Sequence, residues 1–330
     1  MSITVVGSIA YDSVRTPFGE RERMLGGTAV HFSLACSFFA DVHVVGPVGD
    51  DFGADELAQL QRRGVDTADI ERVADGKTFF WRGHYDYDLN TAHTDDTQLG
   101  VFADFEPKLS PASRACDVLF LANIQPELQL RVREQCDRAR FVALDSMNLW
   151  IETARDALVR VIETVDCVLL NDAELKMLTG QPNLVRAARE VIGWGPRAVV
   201  AKQGEYGSAL FTAERFFGLP SFPLETVLDP TGAGDTFAGG FIGTIAAELE
   251  RSAGKLDDVP DPPGAALGDE ILRNAMAHGT ALASFNVEEF GTERVSRLEH
   301  TEIEARIHEL HEITHFSGSP LPRRVSRTAS

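Results

Sequence analysis

The sequence predicts an α/β fold: a mainly parallel central sheet with helices on both faces, in a Rossmann-type three-layer arrangement, plus a small antiparallel β lid. Three features carry that reading. Short apolar runs alternate with helix-length stretches through most of the chain. One aromatic, Thr-rich region breaks the alternation. A glycine-rich turn then joins a strand-like to a helix-like segment near residue 230.

The runs "ITVVGSI" (3–9), "VHVVGPV" (42–48), "VLFLAN" (118–123), "FVALD" (141–145), "CVLLN" (167–171) and "AVVAKQG" (198–204) read as strands buried on both faces. Helix-like patterns at 28–39, 52–63, 126–138, 151–163, 172–179 and 183–192 fall between them, as parallel strands with helical crossovers require. Ligands in such folds gather at the carboxyl ends of the strands, where the loops offer Gly7, Asp12, Asn123, Asp145, Asn171 and Gly204. Residues 77–105, rich in aromatics and Thr with alternating polarity, read as two or three antiparallel strands. With 11–23 they form the expected lid of a single domain over 1–315. The Pro/Gly/Asp-rich stretch 251–269 reads as an insertion loop, and 316–330 as a disordered tail.

A net charge of −19 argues against a broad phosphate-backbone surface, so no nucleic-acid partner is expected. No apolar run approaches the ~18–20 residues of a membrane span. The first residues read as a buried strand, without a basic leader. Cys36, Cys116, Cys136 and Cys167 show no CxxC spacing and read as reduced core thiols. The expected setting is cytoplasmic.

The stretch "LDPTGAGDTFAGGFIGT" (228–244) carries the chemistry. Strand-like "FPLETVL" precedes it and a small-residue helix pattern follows, so the glycines sit at a strand-to-helix turn. Gly232 and Gly234 let the main chain approach a ligand closely. Unpaired amides and the positive end of the helix dipole favour an anion there. By itself, Asp235 at a helix start reads equally well as an N-cap. A cap, however, does not need two glycines before it. A carboxylate beside an anion hole is what deprotonating a hydroxyl during phosphoryl transfer requires. GxxxxGK[ST] is absent, and Phe237 stands where a dinucleotide fingerprint would have its third glycine.

"DPTGAGDTFAGGF" resembles the C-terminal signature of the ribokinase-like, or PfkB, family of small-molecule kinases. "GGTAVHFSLACSFFADVHVVGPVGDDFG" (26–53) is similar to its N-terminal glycine-pair motif, "NDAE" (171–174) to its Asn-x-x-Glu, and "KQGEYG" (202–207) to its nucleotide-side loop. The resemblance spans roughly residues 3–292 and implies a ribokinase-like fold. It implies that Asp235 is the base and that the amides of Gly232, Ala233 and Gly234 form the anion hole. Asn171 and Glu174 would act near the ATP phosphates and Mg2+, Glu174 through metal-bound water. Lys202, Gly204 and Gly207 would line the nucleotide, with His278 at its adenosine end. Asp12, Gly26 and Gly27 would hold acceptor hydroxyls. Asp229 and Thr231 match positions that surround a monovalent cation such as K+ in some members.

His31 stands where the family's sugar kinases carry Asn, which weakens a ribose or fructose assignment; it would bind acceptor or simply pack in the first helix. Phe79, Phe80, Trp81, Tyr85 and Tyr87 would stack on a nucleoside base or form the core of a homodimer contact through the lid. "HEITH" (311–315) matches HExxH, but 316–330 supply no third zinc ligand, and "HTDDT" (93–97) reads as a solvated turn. The leading expectation is an ATP-dependent kinase acting on an alcohol, a primary hydroxyl, of a sugar or nucleoside. An adenosine-like nucleoside kinase and a catalytically silent ligand-binding protein on the same fold are the alternatives.

Overall fold

A computed structural model describes residues 1–253 and 268–315 of the chain. Most of the loop expected over 251–269, and the whole tail expected over 316–330, lie outside the described residues.

The chain opens with β1 (Ser2–Val6), leaves the main body for the hairpin β2 (Ala10–Thr16) and β3 (Gly19–Gly26), and returns as α1 (Thr28–Cys36). Strand β4 (Asp41–Gly49), helix α2 (Ala54–Arg62) and β5 (Ile70–Val73) complete the first crossovers. A second excursion forms the hairpin β6 (Phe79–Tyr85) and β7 (Ala92–Gln98). Next come α3 (Pro111–Arg114), β8 (Val118–Leu121), α4 (Pro126–Gln135), β9 (Phe141–Asp145), α5 (Asn148–Thr153) and α6 (Arg155–Ile162). They lead into β10 (Cys167–Asn171), α7 (Asp172–Thr179), α8 (Leu184–Gly193), β11 (Ala198–Lys202), β12 (Ser208–Thr212) and β13 (Phe216–Leu219). Helices α9 (Ala233–Ala253), α10 (Asp269–Asn286), α11 (Glu293–Ser296) and α12 (His300–Thr314) close the described chain.

Nine strands form one sheet in the order β13-β12-β11-β10-β9-β8-β1-β4-β5, parallel except where β12 runs against both neighbours. Strand order reverses beside β1, opening a crevice at the carboxyl ends of β1 and β8. The apolar runs serve both faces, as their lack of polar alternation requires. Ile3, Val5 and Phe120 pack into a layer with α1, α9 and α10, while Val6, Leu119 and Leu121 pack into a second layer on the opposite face. All four cysteines are buried free thiols.

Three local expectations are corrected. "HTDDT" (93–97) lies inside β7 and is no turn. "FPLETVL" (222–228) is not a strand; β13 has already ended, and the Leu228 amide donates to Val287 O at 2.8 Å, tying the segment to the end of α10. The helix expected over 151–163 is two, broken at Ala154, whose φ of −140° is not helical.

The segments expected to form a lid make a second, four-stranded sheet, β3-β2-β6-β7. Each hairpin is antiparallel within itself, and β2 and β6 join them side by side in parallel, with Ala10 opposite Phe79. Residues 100–104 add a short 3-10 turn rather than a third strand.

Candidate active site

The glycine-rich turn stands at the start of α9, against Lys202 at the carboxyl end of β11. Gly232 has φ +74°, the left-handed region that glycine tolerates, and the chain enters the helix at the next residue. Of the three amides expected to form an anion hole, that of Ala233 donates to Pro230 O at 3.2 Å, so the turn uses it itself in this structure. The turn is tethered from several sides. Asp229, fully buried, accepts the amides of Thr231 and Gly291, each at 2.9 Å. Asn286 donates to Thr231 O at 2.8 Å, and the Thr231 hydroxyl lies 3.2 Å from that of Tyr85. Both Asp229 oxygens thus already hold backbone, which is a structural tether; a monovalent cation would have only their remaining lone pairs.

A cluster of charge gathers around this turn. Lys202, at the end of β11, reaches Asp145 at the end of β9 with Nζ–Oδ2 of 2.6 Å, and the two side chains are 18% and 5% exposed. A β-carbon on Gly234 would lie 3.2 Å from Lys202 Nζ, so the ammonium sits against the turn because glycine leaves room. Burial disfavours that charge, but Asp145, Glu174 and Asp235 outweigh it and hold the lysine above its ordinary pKa. Asp235 faces the same cluster. Burial, then the neighbouring Asp145, with Glu174 adding and Lys202 opposing, raises its carboxyl to about 7. That value suits a group that must both lose and accept a proton near neutrality.

Where the first hairpin meets the cluster, Asp12 projects from β2 and is 7% exposed. Its carboxylate occupies the space a Gly26 β-carbon would need, and it accepts the amide of Gly27. Burial first, then Asp229 and Asp235, lift it to about 7 against the Gly27 bond. His31 lies flat on the turn: a β-carbon on Gly232 would come within 2.4 Å of its ring. Its Nδ1 is 3.1 Å from Asn286 Oδ1, and burial pushes its pKa down to about 4. Of the lid aromatics, Tyr85 enters the site, its hydroxyl raised in pKa by burial and by Asp229, Asp12 and Asp235 nearby. Tyr87 points outward, 82% exposed beside Phe18.

On the opposite side, Asn171 and Glu174 form a capping box on α7. The Asn171 side chain accepts the Glu174 amide at 2.7 Å, and Glu174 Oε2 accepts the Asn171 amide at 2.8 Å. Burial raises Glu174 to about 7, Lys202 opposing. Gly204 and Gly207 bracket the turn after β11. Asn90, in the lid loop, donates to Glu205 at 3.0 Å and so spans the lid and this turn. His278 is not brought to the cluster: it packs on Phe39 and its Nδ1 is 2.9 Å from Thr244 Oγ1, well down α9 from the turn. In HEITH, His311 and Glu312 are both about two-thirds exposed on α12. Among the described residues, no group of three or more His, Cys, Asp or Glu is set to hold a metal ion, and no helix is long and apolar enough to cross a membrane.

Three contributors escaped sequence reasoning: Asn286, the Tyr85 hydroxyl, and Asp145 as the partner of Lys202. Asp145 at a strand end was the one signal that could have marked a charge partner.

The pfkB family carbohydrate kinase model matches residues 3–298. The chain belongs to that family. It is therefore a phosphotransferase acting on an alcohol, of the sugar and nucleoside kinase class. A cytidine kinase of Thermococcus kodakarensis is 29% identical over 249 residues, covering 73% of this chain and 87% of that protein. A ribokinase of Lactococcus lactis is 26% identical over 76% of this chain and 85% of its own length. Among solved structures, a Burkholderia thailandensis nucleoside kinase in complex with ADP-inosine shares the fold at TM-score 0.73 and 17% identity, covering 98% of this chain and all of that one.

Proposed function

We propose that the protein transfers the γ-phosphoryl group of ATP to a primary hydroxyl of a nucleoside, with Asp235 as the base. The observation that carries this reading is the placement of Asp235. It is a carboxylate held at about 7, in the first turn of α9, directly after a glycine turn and across from a half-buried lysine. A silent binding protein has no need of a perturbed base beside an anion-binding turn.

Asp12 and the backbone at Gly26 and Gly27 would orient the acceptor, and Asp235 would take the hydroxyl proton. The amides of Gly232 and Gly234, the α9 dipole and Lys202 would face charge developing on the transferred group. The site fits a nucleotide's phosphates in its donor chemistry, since the turn offers backbone amides and an ammonium together. Gly204 and Gly207 would line the nucleotide. Glu174, through the oxygen its capping bond leaves free, and Asn171 would hold Mg2+ by way of water. Bound Mg2+ supplies neutralisation of phosphate charge. The lid, shut over the site through Tyr85–Thr231 and Asn90–Glu205, excludes water.

A nucleoside acceptor is favoured over a free sugar by the cytidine kinase relative. The test is ATP consumption against a panel of nucleosides and sugars, with Asp235→Asn in parallel. Turnover with a nucleoside that nearly vanishes in the variant supports the reading. Turnover with ribose alone shifts the acceptor to sugars, and activity surviving in the variant removes Asp235 as base.

A further inference from the structure

One side chain outside every recognised motif grips the anion-binding turn at both ends. Asn286, the last residue of α10, is fully buried. It donates from Nδ2 to the Thr231 carbonyl at 2.8 Å and accepts at Oδ1 from the Thr236 hydroxyl at 3.0 Å. Thr231 and Thr236 bracket Gly232–Asp235, so a single amide spans the turn. The same Oδ1 stands 3.1 Å from His31 Nδ1.

These contacts fix a proton that heavy-atom positions do not show. A carbonyl only accepts, so the group facing Thr231 O is the amide nitrogen, which turns the oxygen toward His31. An amide oxygen also only accepts, so His31 Nδ1 carries the hydrogen. Nε2 is then a bare lone pair; it is buried and has no partner among the described residues. The neutral ring lies face-on to Gly232, three of its atoms within 2.4–2.5 Å of where a β-carbon would stand. Burial keeps it neutral, with its pKa down at about 4, so the tautomer rather than the charge is what the network sets.

We propose that Asn286 is a positioning residue for phosphoryl transfer: it fixes the spacing of the turn by spanning Thr231 and Thr236, and it holds His31 as the Nδ1–H tautomer that supports Gly232 from below. The kinetic half of this rests on the kinase reading; the tautomer half does not. An amide lost here lets the turn shift, and a displacement on the order of 1 Å near the reacting atoms is worth up to ~10²-fold in rate.

The experiment combines imidazole nitrogen NMR with steady-state kinetics on wild type, Asn286→Leu, Thr236→Val and Thr236→Ser. Wild-type His31 is expected as Nδ1–H with Nε2 bare at neutral pH, and Asn286→Leu is expected to lose that fixed form. In Asn286→Leu and Thr236→Val, kcat falls by ~10–10² while KM for ATP stays near wild type. Thr236→Ser, which keeps the hydroxyl, recovers most of the kcat that Thr236→Val loses. If Asn286→Leu fails to fold, the Thr236 pair carries the kinetic test and the wild-type spectrum carries the tautomer. Nε2–H in wild type overturns the assignment. Wild-type kcat in folded Thr236→Val, or in folded Asn286→Leu, overturns the positioning role. A wild type with the expected spectrum but no turnover on any acceptor overturns the kinase reading instead, and with it the kinetic half alone.

Discussion

Replacing Asp235 by Asn is expected to stabilise the protein while disabling it. Both side chains have the same shape, so the change removes a charge and little else. In the fold the carboxyl titrates at about 7 rather than 3.8, because burial and Asp145 oppose its ionisation. At ~1.4 kcal/mol per unit, that difference corresponds to roughly 4 kcal/mol of cost once the group is ionised. The side chain keeps partial solvent access, so water screens part of it and ~1–2 kcal/mol is the working figure. For a chain of this size that is an unfolding midpoint roughly 2–3 °C higher in the variant at about pH 8. The sign follows from linkage. The folded state holds this proton to higher pH than the unfolded chain does, so wild type loses stability relative to the variant as pH climbs from about 4 to about 7. Above that window the gap is constant, and below it the gap closes. Thermal unfolding of both proteins across pH measures it, and the same samples should show turnover reduced ~10²–10⁴-fold in the variant. A gap that is flat with pH, or a wild type more stable than the variant at about pH 8, refutes the claim that this carboxylate is held against its own ionisation.

Other outcomes follow from the same geometry. The pH profile of kcat/KM should rise along a limb centred near 7, since the proposed base, Asp235, would have to be unprotonated to act; a limb at the ordinary carboxylate value would remove it as the perturbed base. Lys202→Met strands Asp145 as a buried carboxylate, 5% exposed, and should cost about 3–5 kcal/mol in denaturant unfolding. Unchanged stability there would mean that water reaches Asp145. Gly232→Ala forces a β-carbon to 2.4 Å from the His31 ring at φ +74° and should lower kcat by at least ~10². Near-normal kcat in that variant would show that the turn is not held against the imidazole.

What could be read from the chain depended on how far apart the interacting residues lie. The buried strands were legible because an apolar run without alternation has one reading once helix-like stretches flank it. The turn at 229–235 was legible because its pieces are consecutive. Asn286 was not, since its partner His31 is 255 residues away and nothing local marks an asparagine at a helix end as a tether. Residues 222–228 carry strand-like composition, yet the sheet ends before them and a bond to Val287 takes its place. Asn171 and Glu174 show that one motif can have two readings: their spacing closes a capping box whatever else they hold. The parallel seam between β2 and β6 likewise escapes any local pattern, because pairing partners from separate excursions are chosen by the fold.

That seam has a mechanical consequence. Two hairpins joined by hydrogen bonds along their length cannot swing separately. Asp12 and Tyr85 lie on the strands that form the seam, and Asn90 lies at the far tip of the second hairpin, on Glu205. Lifting that tip off the Gly204 turn, with the sheet moving as one body, would also draw Asp12 and Tyr85 away from the glycine turn. Tyr85–Thr231 and Asn90–Glu205 are therefore two latches on one body, and a lid opening of the kind proposed above would have to break both together.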